Sequence, residues 1–282
     1  MSVDYRTEAI VFRSWKSKEY DRVYSIFSRE HGKLRVVGVG IRKPQAKLAS
    51  GLEPFTRSDV FLIKCRGLDR VKGTIVVDQY ESLKNNLDFL LDGRRAVDVL
   101  EKILPDGEPN ARIFDILKEY LQFIDNLTFS LKSNLGDKQG VDDVVRVVDF
   151  KDTEAKGCCD LVDSSRIKLV SKLAQLALIW KVIYWSGFFP NFNSCAYCQR
   201  KIKEKDYYNF VLSRGVHCGC QTVDMSEMRI VLGRNVIKLV KFLATQDTKI
   251  VCKLSIDPED LEELRKFTGI FTEQIVERRV VL

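Results

Sequence analysis

Short runs of β-branched and aromatic residues, separated by turn residues, fill the first 80 positions of the chain. The pattern predicts five strands: Glu8–Trp15, Arg22–Ser28, Lys33–Gly40, Asp59–Cys65 and Gly73–Tyr80. Five short strands in such a span favour a small barrel. The OB-fold has this pattern and holds oligonucleotides on its strands and loops, although an SH3-like barrel fits the same pattern.

After Tyr80 the apolar residues recur at helical spacing. A break at Leu104–Asn110 separates two helices. Further helices are predicted over Ser165–Ser186, Ser226–Ala244 and Pro258–Val276. We predict a loop over 136–163, which contains Cys158 and Cys159. The fold class is therefore α+β: an OB-fold barrel domain at 1–80, then an α-helical domain at 81–282.

Positive charge is concentrated at the start of the chain. Residues 1–80 hold 16 Lys and Arg against 9 Asp and Glu, whereas the rest holds 30 of each. Such asymmetry indicates a polyanionic partner, most simply nucleic acid. The alternative is a solvated basic face without a ligand.

Four of the eight cysteines form two close pairs near the C-terminal third of the chain. The pairs are Cys195 with Cys198, as C-x-x-C, and Cys218 with Cys220, as C-x-C. Tetrahedral zinc takes four such ligands, often as two short pairs separated by a loop. Gly219 permits the tight second pair, and His217 beside it can replace one cysteine. We therefore predict a structural zinc ion in a zinc-finger-like insertion at about residues 191–222, with a redox C-x-x-C as the alternative. Cys65 and Cys252 are expected in the core.

Nothing in the sequence indicates an enzyme. The chain has two histidines, His31 and His217, and neither belongs to a recognisable triad. It lacks the P-loop pattern, and Gly38–Gly40 does not continue into the dinucleotide-binding fingerprint. The first residues lack the apolar run of a signal peptide, and the longest apolar stretch is interrupted by lysines, so we expect a cytoplasmic protein without a membrane span.

Two ordered stretches resemble the RecO family of bacterial recombination mediators. The first is "KEYDRVYSIFSREHGKLRVVGVGIRKPQAKLASGLEPF" at Lys18–Phe55, with its H-G-K-L, glycine and basic tract, and L-x-P-F. The second is "LALIWKVIYWSGFFPNFNSCAYC" at Leu176–Cys198, a helix that leads into G-x-x-P and C-x-x-C. The family's second pair is usually C-x-x-C, so the C-x-C of this chain is a departure.

The resemblance implies an OB-fold, a helical domain and an inserted zinc finger. It also implies a non-enzymatic, nucleoid-associated protein that binds single- and double-stranded DNA and anneals complementary strands. Its implied partners are RecR and the C-terminal tail of single-strand-binding protein, and its implied role is to help load recombinase onto coated DNA. The alternatives are a zinc-containing RNA- or polymerase-binding factor and a metal-dependent nuclease.

Phosphate contacts should supply most of the affinity for DNA. The candidate cations lie on the second and third strands, in the tract after the third strand, and around the first turn. They are Lys33, Arg35, Arg42, Lys43, Lys47, Arg22, Lys16 and Lys18. Trp15, Tyr24 and Phe27 are candidates for stacking on bases, although aromatic residues in short strands are commonly core residues. Cations of the predicted C-terminal helices lie beside apolar residues such as Val236 and Val240, which fits either a partner groove or an ordinary helix.

Overall fold

The structure is a computed structural model. It describes residues 4–41, 50–136, 164–203, 205–220 and 227–280. They fall into two compact units, one that runs through Ser171 and one from Lys172 onward. The predicted domain boundary at residue 80 stays a prediction. The segment 137–163, with Cys158 and Cys159, lies outside the described residues.

Five strands of the first unit form a closed barrel in the order β1-β2-β3-β5-β4. They are β1 (Asp4–Lys16), β2 (Arg22–Ser28), β3 (Gly32–Gly38), β4 (Arg57–Ile63) and β5 (Asp69–Asp78). Strand β1 pairs with β4 through its first half and with β2 through its second half, so it belongs to both sides of the barrel. A short parallel pairing of β3 with β5 completes the barrel, as expected for an OB-fold rather than an SH3-like barrel.

The barrel core follows from the alternation of side chains along each strand. Val11, Ile26, Val36 and Val60 point inward and are fully buried. The residues between them point outward, because successive side chains of a strand lie on opposite faces. Burying these apolar side chains stabilises the barrel by roughly 1.5–3 kcal/mol each.

Three helices complete the first unit: α1 (Glu81–Lys84), α2 (Leu87–Ile103) and α3 (Ala111–Gly136). The Asn86 carboxamide caps α2 by accepting hydrogen bonds from the backbone of Asp88 and Phe89. The Asn110 carboxamide accepts a hydrogen bond of 3.0 Å from Ile113 N at the start of α3. Gly107, with φ of 74°, lies in the break between them, which is where the sequence predicts an interruption.

The second unit combines helices with a small sheet. The helix α4 (Ser164–Trp185) enters it from the first unit, and α5 (Arg234–Thr245) and α6 (Pro258–Val280) follow the sheet. The sheet has the order β7-β6-β8, with β6 (Tyr207–Val211), β7 (Gly215–His217) and β8 (Arg229–Gly233). The predicted helix over Ser226–Ala244 is therefore wrong for Arg229–Gly233, because these residues pair with β6 instead.

The buried Trp180 organises the core of this second unit. Its ring stacks on Phe271 at a centroid distance of 5.5 Å and lies 5.3 Å from Phe267. Its indole N–H donates a hydrogen bond of 2.9 Å to Thr268 Oγ1, so the polar atom is satisfied inside the core. Among the described residues, none of the helices combines the length and apolarity needed to cross a bilayer. The predicted fold class, a five-stranded barrel followed by a helical region that carries a cysteine cluster, is confirmed.

Candidate nucleic-acid interface and metal centre

Cations from two stretches of the chain, residues 16–22 and 66–70, lie around the C-terminal end of β3. Lys16 on β1 pairs in register with Arg22 on β2, which pairs with Gly38 on β3. In the next row Trp15 pairs with Val23 on β2, Val23 pairs with Val37 on β3, and Val37 pairs with Arg70 on β5. The loop after β1 (residues 17–21) follows Lys16 directly. The loop after β4 (residues 64–68) leads into the start of β5, which the β3–β5 pairing places beside the end of β3. Lys64 of the second loop is paired with Asp69. We call the exposed cations here that have no ion-pair partner among the described residues the cationic rim: Lys16, Lys18, Arg22, Arg66 and Arg70.

The cationic rim is not neutralised by the carboxylates of the described residues. Arg22 donates a hydrogen bond of 3.1 Å to Ser14 Oγ, and no described carboxylate is within ion-pair distance of any rim cation. By contrast, cations elsewhere on the barrel are paired: Arg6 with Asp59 and Arg57 with Glu8. The free positive charge of the described barrel is therefore concentrated around the end of β3.

Apolar side chains interleave with these cations. Trp15, Tyr20, Val39 and Leu68 are between 38% and 46% exposed. Tyr20 and Leu68 belong to the two rim loops, and Trp15 and Val39 lie at the rim ends of β1 and β3. The guanidinium of Arg13 lies 5.7 Å from the centroid of the Trp15 ring. Exposed aromatic and apolar surface among cations is the arrangement that single-strand binding proteins use.

Buried or shielded carboxylates fix the rim loops. Asp21 Oδ1 accepts a hydrogen bond of 2.8 Å from Gly40 N, which ties the first loop to the end of β3. Asp69 is 6% exposed and accepts hydrogen bonds from Tyr5 Oη at 2.6 Å and Cys65 N at 3.1 Å, which fixes the loop before β5. Burial raises the pKa of Tyr5, and the Asp69 carboxylate raises it further. These acids therefore hold the loops in place.

Near the start of β3, cations contact the end of helix α2 and the residues that follow it. Lys33 is only 9% exposed, and its Nζ donates a hydrogen bond of 2.6 Å to Glu101 O and lies 3.0 Å from Asp106 Oδ1. This corrects the expectation that Lys33 belongs with the phosphate-binding cations, because the β3 register turns it against the helix end. Arg35 is exposed, 4.0 Å from Asp106.

The other DNA-binding candidates from the sequence differ in whether the structure describes them and in whether they are exposed. Lys16, Lys18 and Arg22 lie together in the cationic rim, whereas Arg42, Lys43 and Lys47 lie outside the described residues. Tyr24 and Phe27 are core residues, 3% and 0% exposed, so neither can stack on a base. Only Trp15 of the three aromatic candidates is available.

Arg66 and Arg70 are rim residues that the sequence interpretation missed. The parallel pairing of β3 with β5 places Arg70 beside Val37, more than thirty positions earlier in the chain. No local pattern reports such a long-range pairing. Alternation along the predicted first strand did contain a signal for an outward Arg13 beside Trp15. Cys65 was expected in the core but is exposed, because β4 ends at Ile63.

The two cysteine pairs converge in the second unit. The sulfur atoms of all four lie within 4.8 Å of one another, with Cys195 Sγ 3.8 Å from Cys220 Sγ and Cys198 Sγ 3.5 Å from Cys218 Sγ. A tetrahedral ion with metal–sulfur bonds of about 2.3 Å separates its ligand sulfurs by about 3.8 Å. The four cysteines can therefore hold a metal ion and are compatible with zinc. His217 Nε2 lies 4.0 Å from Cys220 Sγ, adjacent to this group.

Local backbone geometry brings the cysteines together. Gln199, with φ of 58°, ends a tight turn in which Gln199 N donates to Cys195 O at 3.0 Å. Ala196 N donates to Val216 O at 2.8 Å, which joins this turn to β7 and so to the second pair. Gly219 has φ of 89°, a conformation that permits the shorter C-x-C pair.

The thiols differ in their acidity. Burial opposes ionisation of Cys195, but backbone N–H groups of Cys198, Tyr197 and Cys218 outweigh it and lower its pKa to about 6. Burial, together with hydrogen bonds to the neighbouring thiols, raises the pKa of Cys220 to about 12. Thiolates so close together repel one another, and a bound cation removes that repulsion. Backbone N–H donors directed at sulfur are suited to a ligand thiolate.

Other candidate sites are weaker. The apolar face of α5 is buried, with Val236 and Val240 both 0% exposed, so it is core rather than an open groove. Within the part of the chain that the structure describes, the cysteine cluster is the only group of three or more side chains arranged to hold a metal. An acidic site of the nuclease kind is thus not among the described residues.

Two family models match the chain. One, described as Recombination protein O N terminal, matches residues 1–80, and the other, described as Recombination protein O C terminal, matches residues 170–281. The first contains the described part of the cationic rim, and the second contains the four cysteines. Both halves of the chain are therefore similar to the same family.

Curated relatives agree with the family models. The chain is 34% identical to the DNA repair protein RecO of Geobacter metallireducens over 120 residues, 43% of this chain and 49% of that protein. The match thus spans about half the length of that relative. It is 22% identical to the protein of the same name from Dehalococcoides mccartyi over 262 residues, 93% of this chain and 86% of that protein. The corresponding protein of Thermodesulfovibrio yellowstonii is 22% identical over 273 residues, 95% of this chain and 92% of that protein.

Proposed function

This chain belongs to the RecO family of DNA repair proteins, and from that premise we propose that it is a non-enzymatic mediator of recombinational repair. In this proposal it binds single- and double-stranded DNA, anneals complementary strands and helps load recombinase onto DNA coated with single-strand-binding protein. The observation that carries the proposal is the cationic rim, with its unpaired charges and exposed apolar side chains around the end of β3.

The rim suits binding that does not depend on base sequence. Lysine and arginine side chains neutralise phosphates and release counterions, which supplies affinity and makes it fall with salt. The exposed Trp15 and Tyr20 rings can stack on any base, because every base has a π-face. Arg42, Lys43 and Lys47 lie within six positions after Ile41 in the chain, and we include them in the same proposed interface. We leave Lys33 out of it because Glu101 and Asp106 hold its ammonium.

Annealing follows from this kind of binding. Two complementary strands repel each other through their phosphates, and cations that neutralise the phosphates lower that barrier. Contacts to phosphates and base faces leave the Watson–Crick edges free to pair. The reaction needs no nucleotide hydrolysis, which agrees with a sequence that lacks a P-loop.

We propose zinc as the ion of the cysteine cluster. Cys195, Cys198, Cys218 and Cys220 would hold it, and four thiolates would fill its coordination shell. When bound, zinc supplies folding energy to this part of the chain. Its ligands would come from the turn after α4 and from the residues after β7, and backbone hydrogen bonds already connect that turn to β7.

The partners we propose are RecR and the C-terminal tail of single-strand-binding protein, and the site of action is the bacterial nucleoid. Family membership supports these partners. No residue is assigned to either contact.

A strand-annealing assay without ATP or added metal tests the proposed function. We expect the full chain to anneal complementary oligonucleotides, with a rate that falls steeply with salt. Replacing Lys18, Arg22 and Arg66 by Ala should reduce the slope of log affinity against log salt by about 2, because each contact to a single strand contributes about 0.7. Changing Arg42, Lys43 and Lys47 to Ala should have a similar effect.

The matched control removes three exposed cations that are ion-paired elsewhere. It consists of Arg6→Ala, Arg265→Ala and Lys266→Ala, whose partners are Asp59 and Glu262. This control should anneal like the unmodified protein. Equal annealing by the rim variant and the control would refute the placement of the interface, and no DNA binding by the unmodified protein would refute the function.

A further inference from the structure

A second group of cations lies between the first cysteine pair and β6. Four bases occupy six consecutive positions with one acid, Glu204, among them. They are Arg200, Lys201, Lys203 and Lys205. All four are exposed, and none has an ion-pair partner among the described residues. We propose that this run, which we call the knuckle cations, binds the phosphates of a second nucleic-acid strand while the barrel rim holds the first.

The backbone that carries the knuckle cations is fixed by hydrogen bonds to the cysteine turn. Cys195 N donates to Arg200 O at 2.9 Å, and Ile202 N donates to Asn193 O at 2.9 Å. Ser194 and Lys201 form an antiparallel bridge between these two hydrogen bonds. The first cations of the run are therefore presented on a fixed hairpin, so binding orders less of the backbone than it would in an unstructured basic segment.

An exposed aromatic ring follows the cations directly. Tyr207, the first residue of β6, is 69% exposed, and Val231 lies on the same face of the sheet and is 61% exposed. The hydroxyl of Tyr208 accepts a hydrogen bond of 3.0 Å from Lys205 N, which holds the last cation of the run close to this strand. A flat ring beside cations is suited to a base and its phosphate. This ring is why we favour a nucleic acid over an acidic peptide as the ligand.

The acids near the run that the structure describes do not neutralise it. Asp206 follows Lys205, but its nearest basic partner among the described residues is Arg234, with Nη2 3.9 Å from Oδ1. Glu227 is occupied by Arg214 at 2.6 Å and by the hydroxyl of Tyr197 at 2.5 Å. The knuckle cations therefore keep their charge available for phosphates.

The inference rests on the proposed function, because annealing requires two strands to be held at once. The two groups of cations belong to different units of the chain, and each therefore has a strand-binding surface of its own. One molecule can therefore bind two strands, because the strands do not compete for the same cations.

A count of strands per chain tests the proposal. The full-length protein is mixed with oligothymidylates of about twelve nucleotides, within the site size of one OB-fold, and the complexes are counted by native mass spectrometry. These strands cannot pair with each other, so a second bound strand reports a second surface. We expect two strands on the unmodified protein and one on the variant in which Arg200, Lys201, Lys203 and Lys205 are replaced by Ala.

The salt dependence gives an independent measurement. The second binding step of the unmodified protein should show a slope of log affinity against log salt of up to about 2.8, because four contacts contribute about 0.7 each. The first step should be the same in the variant. The control replaces four exposed bases of the same unit by Ala: Lys172, Lys253, Arg265 and Lys266. It should keep both strands.

The outcomes separate this inference from the proposed function. A variant that still binds two strands with an unchanged slope overturns the inference, as does an unmodified protein that binds one strand only. Capture of an acidic peptide that the variant loses, together with an unchanged strand count, also overturns it. An unmodified protein that binds no strand refutes the proposed function itself. If the unmodified protein binds one strand only, and changing the rim cations abolishes that binding, the proposed function stands and the second surface is refuted.

Discussion

Replacing Lys33 by Met separates a stabilising cation from the DNA-binding cations on the same barrel. The Lys33 ammonium donates to Glu101 O, a carbonyl in the last turn of α2 that has few other donors. Its second partner, Asp106, is 59% exposed, so that ion pair is screened by solvent and contributes little. Methionine keeps the apolar stem but leaves the carbonyl without its donor.

The charge-assisted hydrogen bond sets the expected size of the effect. Losing it should cost about 1.5–3 kcal/mol of unfolding free energy. For a protein of this size such a loss lowers the midpoint of thermal unfolding by roughly 3–12 °C. The affinity for single-stranded DNA and its salt slope should not change, because the Lys33 ammonium does not face the solvent at the rim.

Thermal unfolding and salt titrations of DNA binding measure the two effects side by side. Arg35→Met is the matched control, since Arg35 lies two residues further along β3, is exposed, and is 4.0 Å from the same Asp106. Its unfolding free energy should change by less than about 0.5 kcal/mol. The reasoning would be refuted if Lys33→Met unfolded like this control while its salt slope fell by about 0.7, the contribution of one phosphate contact.

Two further predictions concern the metal centre and the acid stability of the first unit. Elemental analysis should find about one zinc per chain, the number that four thiolates can hold. Cys195→Ser should lose the zinc, and the control Cys65→Ser should keep it. Protein purified without chelator that contains no metal would count against the site. The guanidinium of Arg29 lowers the pKa of Asp115, so this pair stabilises the fold above the ordinary carboxyl pKa of about 3.9 and loses its effect as the pH falls through the lower folded-state value. The unfolding midpoints of the unmodified protein and Asp115→Asn should therefore differ at neutral pH and converge in acid, and a constant difference would contradict this assignment.

Local patterns predicted the barrel well because its strands are short, alternating and separated by turns. The predicted second strand, Arg22–Ser28, coincides with β2. Each of the other predicted strands differs from the observed strand by a few residues at its ends. The start of α6 at Pro258 was also predicted, since proline suits the first position of a helix. These features depend on neighbours in the sequence.

Features that depend on distant contacts were not predictable in this way. Arg229–Gly233 has the apolar content of a helix but forms a strand, because β6 offers it an edge to pair with. Lys33 reads as a surface cation until the α2 end is placed against it. The rim position of Arg70 depends on barrel closure. The cysteine cluster was predictable because both pairs are local, although the distance between them was not.

The dual pairing of β1 sets how the barrel can open. Its 13 residues pair with β4 on one side and β2 on the other, and Ala9 and Ile10 belong to both ladders. Detaching β1 therefore breaks two of the five seams of the barrel together, and the amides of β1, β2 and β4 should exchange with deuterium in one cooperative event rather than strand by strand. The cations on β1, β2 and β5 are thus held at set spacings on a stiff frame, and a strand of DNA must adapt its path to them.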